Sequence, residues 1–145
     1  MKHLFFIVFS LLCFIGISQN NNNANFIEKK LVTKTIKKYI NGSSYNKLDV
    51  LEQVFAKEAT LYLTIKGDLK IITPKEYVAF FKGEYGQSNG RIGKILSTVI
   101  HHDIATATVE ILIPDRKLKF IDIFLLRKIE NEWKIISKTA TMQHL

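Results

Sequence analysis

Cysteine is all but missing from this 145-residue chain, which has only Cys13. Cys13 lies in an apolar leader, so the chain left after removal of that leader has none. That excludes a disulfide framework, a thiolate nucleophile and a cysteine metal site. Arginine is scarce as well: of 21 basic residues, only Arg91, Arg116 and Arg127 are arginine. Nucleic-acid surfaces favour arginine forks and interleaved aromatics. Here the net charge of +8 comes almost entirely from lysines scattered along helices and strand edges. We read them as a solvated surface, with weak attraction for anionic ligands as the lesser alternative, and assign no nucleic-acid partner. "GEYGQSNG" (Gly83–Gly90) lacks the spacing of a phosphate or dinucleotide loop, and is a lid or a connector. His101, His102 and Asp103 fall in a turn without a converging third ligand, and His144 is near the chain end, so no metal is assigned. No Ser-His-Asp set and no carboxylate pair stands out. No cofactor is assigned.

What the chain does have begins at its N-terminus. "MKHLFFIVFSLLCFIGISQ" opens with Lys2 and His3, runs apolar from Leu4 to Ile17, and ends on the small residues Gly16 and Ser18 before Gln19. That is the layout of a cleavable secretory signal peptide, with cleavage near Ser18-Gln19. The apolar run falls short of the roughly 20 residues a membrane span needs, so the cleaved chain is not expected to span a membrane. A lipoprotein anchor would want a small residue just before Cys13, and Leu12 stands there. The expected organisation is a signal peptide over residues 1–18, a flexible Asn-rich linker over 19–25, and one domain over 26–145. The expected location is periplasmic or secreted.

Apolar residues at three- and four-residue steps from Phe26 to Ile40 predict an amphipathic helix, stopped by Gly42. Leu48, Leu51, Val54 and Phe55 predict a second, shorter one. "TLYLTI" (Thr60–Ile65) reads as a strand, "KGD" as a tight turn and "LKII" as a returning strand. "TPKE" (Thr73–Glu76) has the form of a capping box, with Tyr77, Val78, Phe80 and Phe81 in the helix after it. Arg91–His101, Ile104–Pro114, Lys117–Ile129 and Glu132–Met142 are long β runs joined by short turns, hence an antiparallel meander. The fold class is α+β, with the helices on one face of a sheet.

The run "KFIDIFLL" (Lys119–Leu126) carries one acid, Asp122, among Phe, Ile and Leu. Two-residue turns at the last two hairpins would set Asp122 beside Val109 and opposite Thr139. Alternation then puts Ala105, Ala107, Val109, Ile111, Phe120, Asp122, Phe124, Trp133, Ile135, Ser137 and Thr139 on the inner, helix-covered face. Ile121, Ile123, Leu125, Ile136 and Lys138 fall on the outer one. Ser137 and Thr139 would then be the hydroxyl partners of Asp122. A bulge in the hairpin would reverse that assignment beyond it.

"FIDIFLLRKIENEWKIISKTATM" resembles the C-terminal hairpin of the nuclear-transport-factor-2-like superfamily, in particular the small exported bacterial proteins called putative lumazine-binding. Asp122, Leu125, Leu126, Lys128, Trp133, Lys134, Ile135 and Lys138 occupy the places of its pattern. Where that family commonly has a glycine in the last turn, this chain has Glu130-Asn131. "IKKYINGSSYNKLDVLEQVFAKEATLY" fits the family's opening, and the likeness spans residues 30–142. It implies a cone: three helices against a strongly curved antiparallel sheet ending in a four-strand meander, with a ligand cavity inside and frequent dimerisation through the sheet. Enzymes of this fold class, ketosteroid isomerases and SnoaL-like cyclases, place an acid in such a cone.

Three functions follow. The first is a small-molecule-binding module for a partly apolar ligand, with Ala105 and Ala107 leaving room for it. Its expected lining is Tyr39, Phe55, Tyr62, Val109, Phe120, Asp122, Phe124, Trp133, Ser137 and Thr139. The second is an isomerase, dehydratase or cyclase with Asp122 as catalytic general base, and Tyr39, Tyr62 or Tyr77 holding an oxyanion. The third is a non-catalytic homodimer or partner module using the outer face around Ile121, Ile123, Leu125 and Ile136. Asp122 itself has three readings: structurally satisfied acid, ligand anchor or base.

Overall fold

The computed structural model describes residues 24–145. The expected signal peptide over residues 1–18, with Cys13, and most of the expected linker over 19–25 lie outside the described residues. Helix α1 occupies residues 24–44, so Ala24 and Asn25 are already helical. It buries Val32, Ile36 and Tyr39 completely, whereas Phe26, Ile27 and Leu31 are exposed. The helix does not stop at Gly42. It runs on to residue 44 and is closed just beyond, where Asn46 takes a left-handed conformation (φ 53°) and the Lys47 N–H donates to the Gly42 carbonyl at 3.0 Å. That backward bond is the usual way a left-handed residue closes a helix. Gly42 serves packing instead: a Cβ there would stand 2.9 Å from Leu51 Cβ.

Helix α2 is Leu48–Gln53, and strand β1 begins immediately, at Phe55–Ile65. Val54 and Phe55, predicted as helical, are thus a helix cap and the first strand residue. Lys66 and Gly67, both at positive φ, turn the chain into β2 (Asp68–Ile72). Helix α3 (Pro74–Val78) has the predicted capping box: Thr73 Oγ1 accepts from Glu76 N, and Glu76 reaches back to Thr73 N. It is one turn long, so Phe80 and Phe81 follow it rather than fill it.

Strands β3 (Ile92–His101), β4 (Ile104–Ile113), β5 (Leu118–Ile129) and β6 (Glu132–His144) form the predicted meander. Glu130 and Asn131 both have positive φ in the β5–β6 turn, which lets it close without glycine. The strands form one six-stranded sheet in the order β2-β1-β6-β5-β4-β3. It is mixed: β1 pairs with β6 in parallel, and the other pairs are antiparallel. A parallel neighbour needs a crossover, and the segment from β2 through β5 supplies it.

The core lies between α1 and the inner face of the sheet. Ala105, Ala107, Val109 and Ile111 of β4, Phe124 and Leu126 of β5, and Trp133 and Ile135 of β6 are all buried there, as their alternation predicted. Gly93 lets α1 approach β3; a Cβ on it would lie 2.5 Å from Ile40 Cγ2. Among the described residues no helix is long and apolar enough to cross a membrane.

Candidate functional site: a buried ion pair beneath an aromatic end

Asp122 is 1% exposed on the inner face, opposite Val109 on β4. On the β6 side its partner is Ala140, not Thr139. The cause is a bulge. Leu125 pairs with Ser137 and Leu126 with Ile135, so Ile136 has no opposite residue and side-chain parity inverts beyond it. Ser137 and Thr139 therefore turn to the outer face, and the expected inner hydroxyl trio does not form. Lys138 turns inward in their place and is 3% exposed. It is a diagonal neighbour of Asp122, within reach of a long side chain. Its Nζ donates to Asp122 Oδ1 at 2.9 Å, with both side chains 2% exposed.

The other carboxylate oxygen is engaged too. Tyr39 Oη, from α1, donates to Asp122 Oδ2 at 2.8 Å. Tyr39 Oη also lies 2.6 Å from Tyr77 Oη of α3. A phenol has one proton, and Tyr39 gives its own to the acid, so Tyr77 is the donor between the two rings. The relay runs Tyr77, Tyr39, Asp122, Lys138, and draws on α3, α1, β5 and β6. Burial, then the charge of Asp122, pushes the Tyr39 pKa well above the usual tyrosine value. Tyr39 thus remains a neutral donor. Aromatic faces wrap the ammonium: Lys138 Nζ is 5.3 Å from the Tyr77 centroid and 5.9 Å from that of Phe124. Tyr39 meets Phe124 edge to face at 4.7 Å and Phe55 at 6.2 Å.

This geometry gives Asp122 two partners and bears on all three of its readings. A general base needs a free lone pair aimed at a substrate proton. Here the Lys138 ammonium holds one oxygen and the Tyr39 phenol the other, and the group is buried among packed rings. A lone buried charge is costly, and pairing it with an opposite charge offsets part of that cost.

The ten expected lining residues are not all brought together. Tyr39, Phe55, Val109, Phe120, Asp122 and Phe124 share the inner side, where Tyr39, Val109 and Phe124 are fully buried. Tyr62 is exposed on the outer face, because Leu61 and Leu63 take the inward positions of β1. Trp133 sits away from Asp122, in a clamp with the N-terminal half of α1. Its Nε1 donates to Glu28 Oε2 at 2.7 Å, while Lys128 Nζ binds Glu28 Oε1 at 2.5 Å. Asp103 of the β3–β4 turn pairs with Arg127 at 3.1 Å. Two open grooves, of about 650 and 590 Å³, run along the outside of α1, and none of the ten residues lines either.

Above the ion pair the inner face opens into a cluster of aromatics. Tyr77 packs against Phe81 at 5.4 Å and Phe80 at 6.2 Å. Phe80 is 53% exposed; Phe81 and Phe120 are half-buried. Arg91 lies over both Phe81 and Phe120. The loop Gly83–Gly90 behaves as a connector fastened to the α1–α2 turn. Gly86 N donates to Tyr45 O, Asn89 N to Ser44 O, and Asn46 Nδ2 to Gln87 O. Sequence reading missed Lys138 and Arg91. One signal for Lys138 was available: an acid committed to the inner face demands a cation there, and the strand beside it has Lys138 two places from Ala140.

Helices laid on one side of this six-stranded sheet, with a polar relay and an aromatic end on the covered face, define an NTF2-like α+β protein. Residues 27–140 match the family model described as "Putative lumazine-binding", and the chain belongs to that family. Solved structures agree on the fold. An NTF2-like protein of unknown function from Silicibacter pomeroyi has a TM-score of 0.73 at 19% identity, over 82% of this chain and 98% of that one. One from Shewanella baltica gives 0.73 at 19%, over 83% and 97%. A cystatin-like-fold protein of unknown function from Nostoc punctiforme gives 0.62 at 12%, over 81% and 92%. No curated protein matches the chain.

Proposed function

We propose that the protein is an exported binding module for a small, partly apolar molecule, held at the aromatic end of the inner face. The carrying observation is the cluster of Tyr77, Phe80, Phe81 and Phe120. Phe80 is open to solvent and Phe81 and Phe120 are half-covered, while Tyr77 is buried between them and the Asp122–Lys138 pair. Aromatic surface left uncovered beside polar groups is the usual composition of a ligand site. The expected cavity therefore moves outward from Asp122, which supports the site from below. Export is supported by the layout of residues 1–18 alone.

The test is a thermal-shift panel of flavins, pterins, sterols and quinones against the chain starting at Gln19. Saturable stabilisation by one class, weakened by Phe120→Ala and Phe80→Ala, is the expected result. A panel without any saturable shift up to the solubility limits refutes the site. Mass measurement of the exported protein should find Gln19 at its N-terminus.

A second reading rests on a separate observation. The outer face exposes Tyr62 of β1, Val99 of β3, and Ile123 and Leu125 of β5 by 40 to 49%, in rows that run across the sheet from β1 to β3. Such a patch suits a homodimer through the sheet. Sedimentation should then show a dimer that Ile123→Lys dissociates, and a monomer at high concentration ends this reading.

A further inference from the structure

We propose that Arg91 anchors an anionic group of the bound molecule, which makes the ligand class a planar organic acid: a carboxylate or enolate anion carried on an aromatic body. This rests on the binding reading above and narrows it.

Four observations carry the assignment. The guanidinium carbon lies 5.5 Å from the Phe81 centroid and 5.8 Å from that of Phe120, both within cation–π range. Two aromatic rings therefore fix the cation from residues far apart in sequence. Second, Arg91 Nε is buried with no hydrogen-bond partner among the described residues. Native proteins rarely leave such a donor empty, because its desolvation is not repaid. Third, no carboxylate among the described residues forms an ion pair with Arg91. Asp122 is consumed by Lys138 and Tyr39. Asp115, whose Oδ2 lies 3.7 Å from where a Gly90 Cβ would stand, does not pair with Arg91 either. Fourth, the backbone that delivers Arg91 is fastened. Its N–H donates to Asn89 Oδ1 at 3.3 Å, and Asn89 Nδ2 donates to Ser43 O at 2.7 Å and to Asn46 Oδ1 at 3.2 Å.

Lys138 and Asp122 pair with one another, and the Arg91 guanidinium has no ion-pair partner among the described residues. Arg91 lies over Phe120, which stands two places from Asp122 on the same face of β5, so the cation and the relay belong to the same side of the sheet. A single guanidinium suits a monoanion, and its fork matches the two oxygens of a carboxylate. The rings of Phe80, Phe81 and Tyr77 then offer edges and faces to an aromatic body. A highly charged phosphate ester would find one cation where it needs several.

The experiment compares matched acids and neutral amides by calorimetry on the chain starting at Gln19. The probes are naphthoate against naphthamide, and indoleacetate against indoleacetamide. The acid is expected to bind tighter than its amide by about tenfold or more, the scale of one charge-assisted hydrogen bond. Arg91→Gln should bring the acid down to the amide's affinity and leave the amide unchanged, and Arg91→Lys should restore part of the preference. Equal binding of acid and amide overturns the Arg91 assignment and leaves the aromatic site standing. A preference that survives Arg91→Gln also overturns it and transfers the anion to the lysines of α1. If neither member of either pair binds, the planar-acid class is overturned, while the wider thermal-shift panel decides the site itself. The acid–amide comparison uses the unchanged protein, so it holds even if Arg91→Gln fails to fold.

Discussion

Replacing Lys138 by methionine would leave the Asp122 carboxylate enclosed on the inner face with Tyr39 as its one remaining donor. The two side chains are 2% exposed and 2.9 Å apart, so water cannot take the place of the ammonium without opening the core. Breaking such a pair from one side costs about 3–5 kcal/mol. Methionine restores most of the lost packing volume but none of the charge. In a domain of this size each kcal/mol moves the melting temperature by about 4 °C, so a fall of about 10–20 °C is expected. Total stability for such domains is about 5–15 kcal/mol, so the variant should still fold but stand near its limit.

Urea unfolding read by the fluorescence of Trp133, the single tryptophan, supplies the measurement. The midpoint should drop at an unchanged slope. The double variant Asp122→Asn/Lys138→Met removes both charges while keeping an acceptor for Tyr39. It should recover about 1–3 kcal/mol of the single variant's loss, the coupling typical of contacting residues. Exchanging the neighbours, Lys138→Thr with Thr139→Lys, tests the bulge directly. The composition is unchanged, yet the lysine moves to the outer face and the acid loses its partner, so the exchange should destabilise about as much as Lys138→Met. The reasoning is refuted if Lys138→Met stays within about 1 kcal/mol of the parent, or if Asp122→Asn gives it no relief.

Two further substitutions probe the groups around this pair and the clamp at the other end of α1. Tyr39→Phe empties one acceptor site on Asp122 and one on the path from Tyr77, at a cost of about 1–3 kcal/mol in urea melts. The Tyr39 pKa is raised, first by burial and then by the Asp122 charge, so its contribution is whole below the ordinary value of 10.0 and is lost as pH rises through the folded value. The gap between the parent and Tyr39→Phe should accordingly close only in strong alkali; a gap already closing below pH 10 contradicts the relay. Glu28 has the opposite sign: the hydrogen bond from Lys128, then that from Trp133, hold its pKa below 4.5. Its contribution is present above pH 4.5 and fades as pH falls through the lower folded value. Glu28→Gln should therefore lose stability at neutral pH and converge on the parent in acid; a pH-independent difference would show that shape, not charge, makes that clamp.

Local chemistry made much of this molecule legible. The capping box at Thr73–Glu76 and the meander from residue 91 onward follow from short-range rules. So do the inward residues of β4 and β5, and the structure keeps them. What failed shares one cause. Gly42 reads as a stop because glycine usually ends helices, but the place where α1 ends is set by Asn46. Glycine was needed at 42 for contact with Leu51, a partner no local pattern reveals. The parallel pairing of β1 with β6 joins residues far apart in sequence, and its consequence, Tyr62 facing outward, is likewise non-local.

The β6 bulge matters most, because it changes the chemistry and not only the outline. Without it, Asp122 would look across at Thr139 and Ser137: neutral hydroxyls and an acid free to work. With one unpaired residue, Ile136, the same strand presents Lys138, and the acid becomes half of a closed pair. Nothing in "WKIISKTAT" marks the bulge, since the usual glycine is absent. Yet the charges constrain it. On a regular register Asp122 would be buried without a cation while Lys138 pointed to solvent one strand away. Inverting the parity satisfies the buried acid for the loss of one ladder position. The most expensive buried group selects the register, and Lys138 rather than Thr139 meets Asp122.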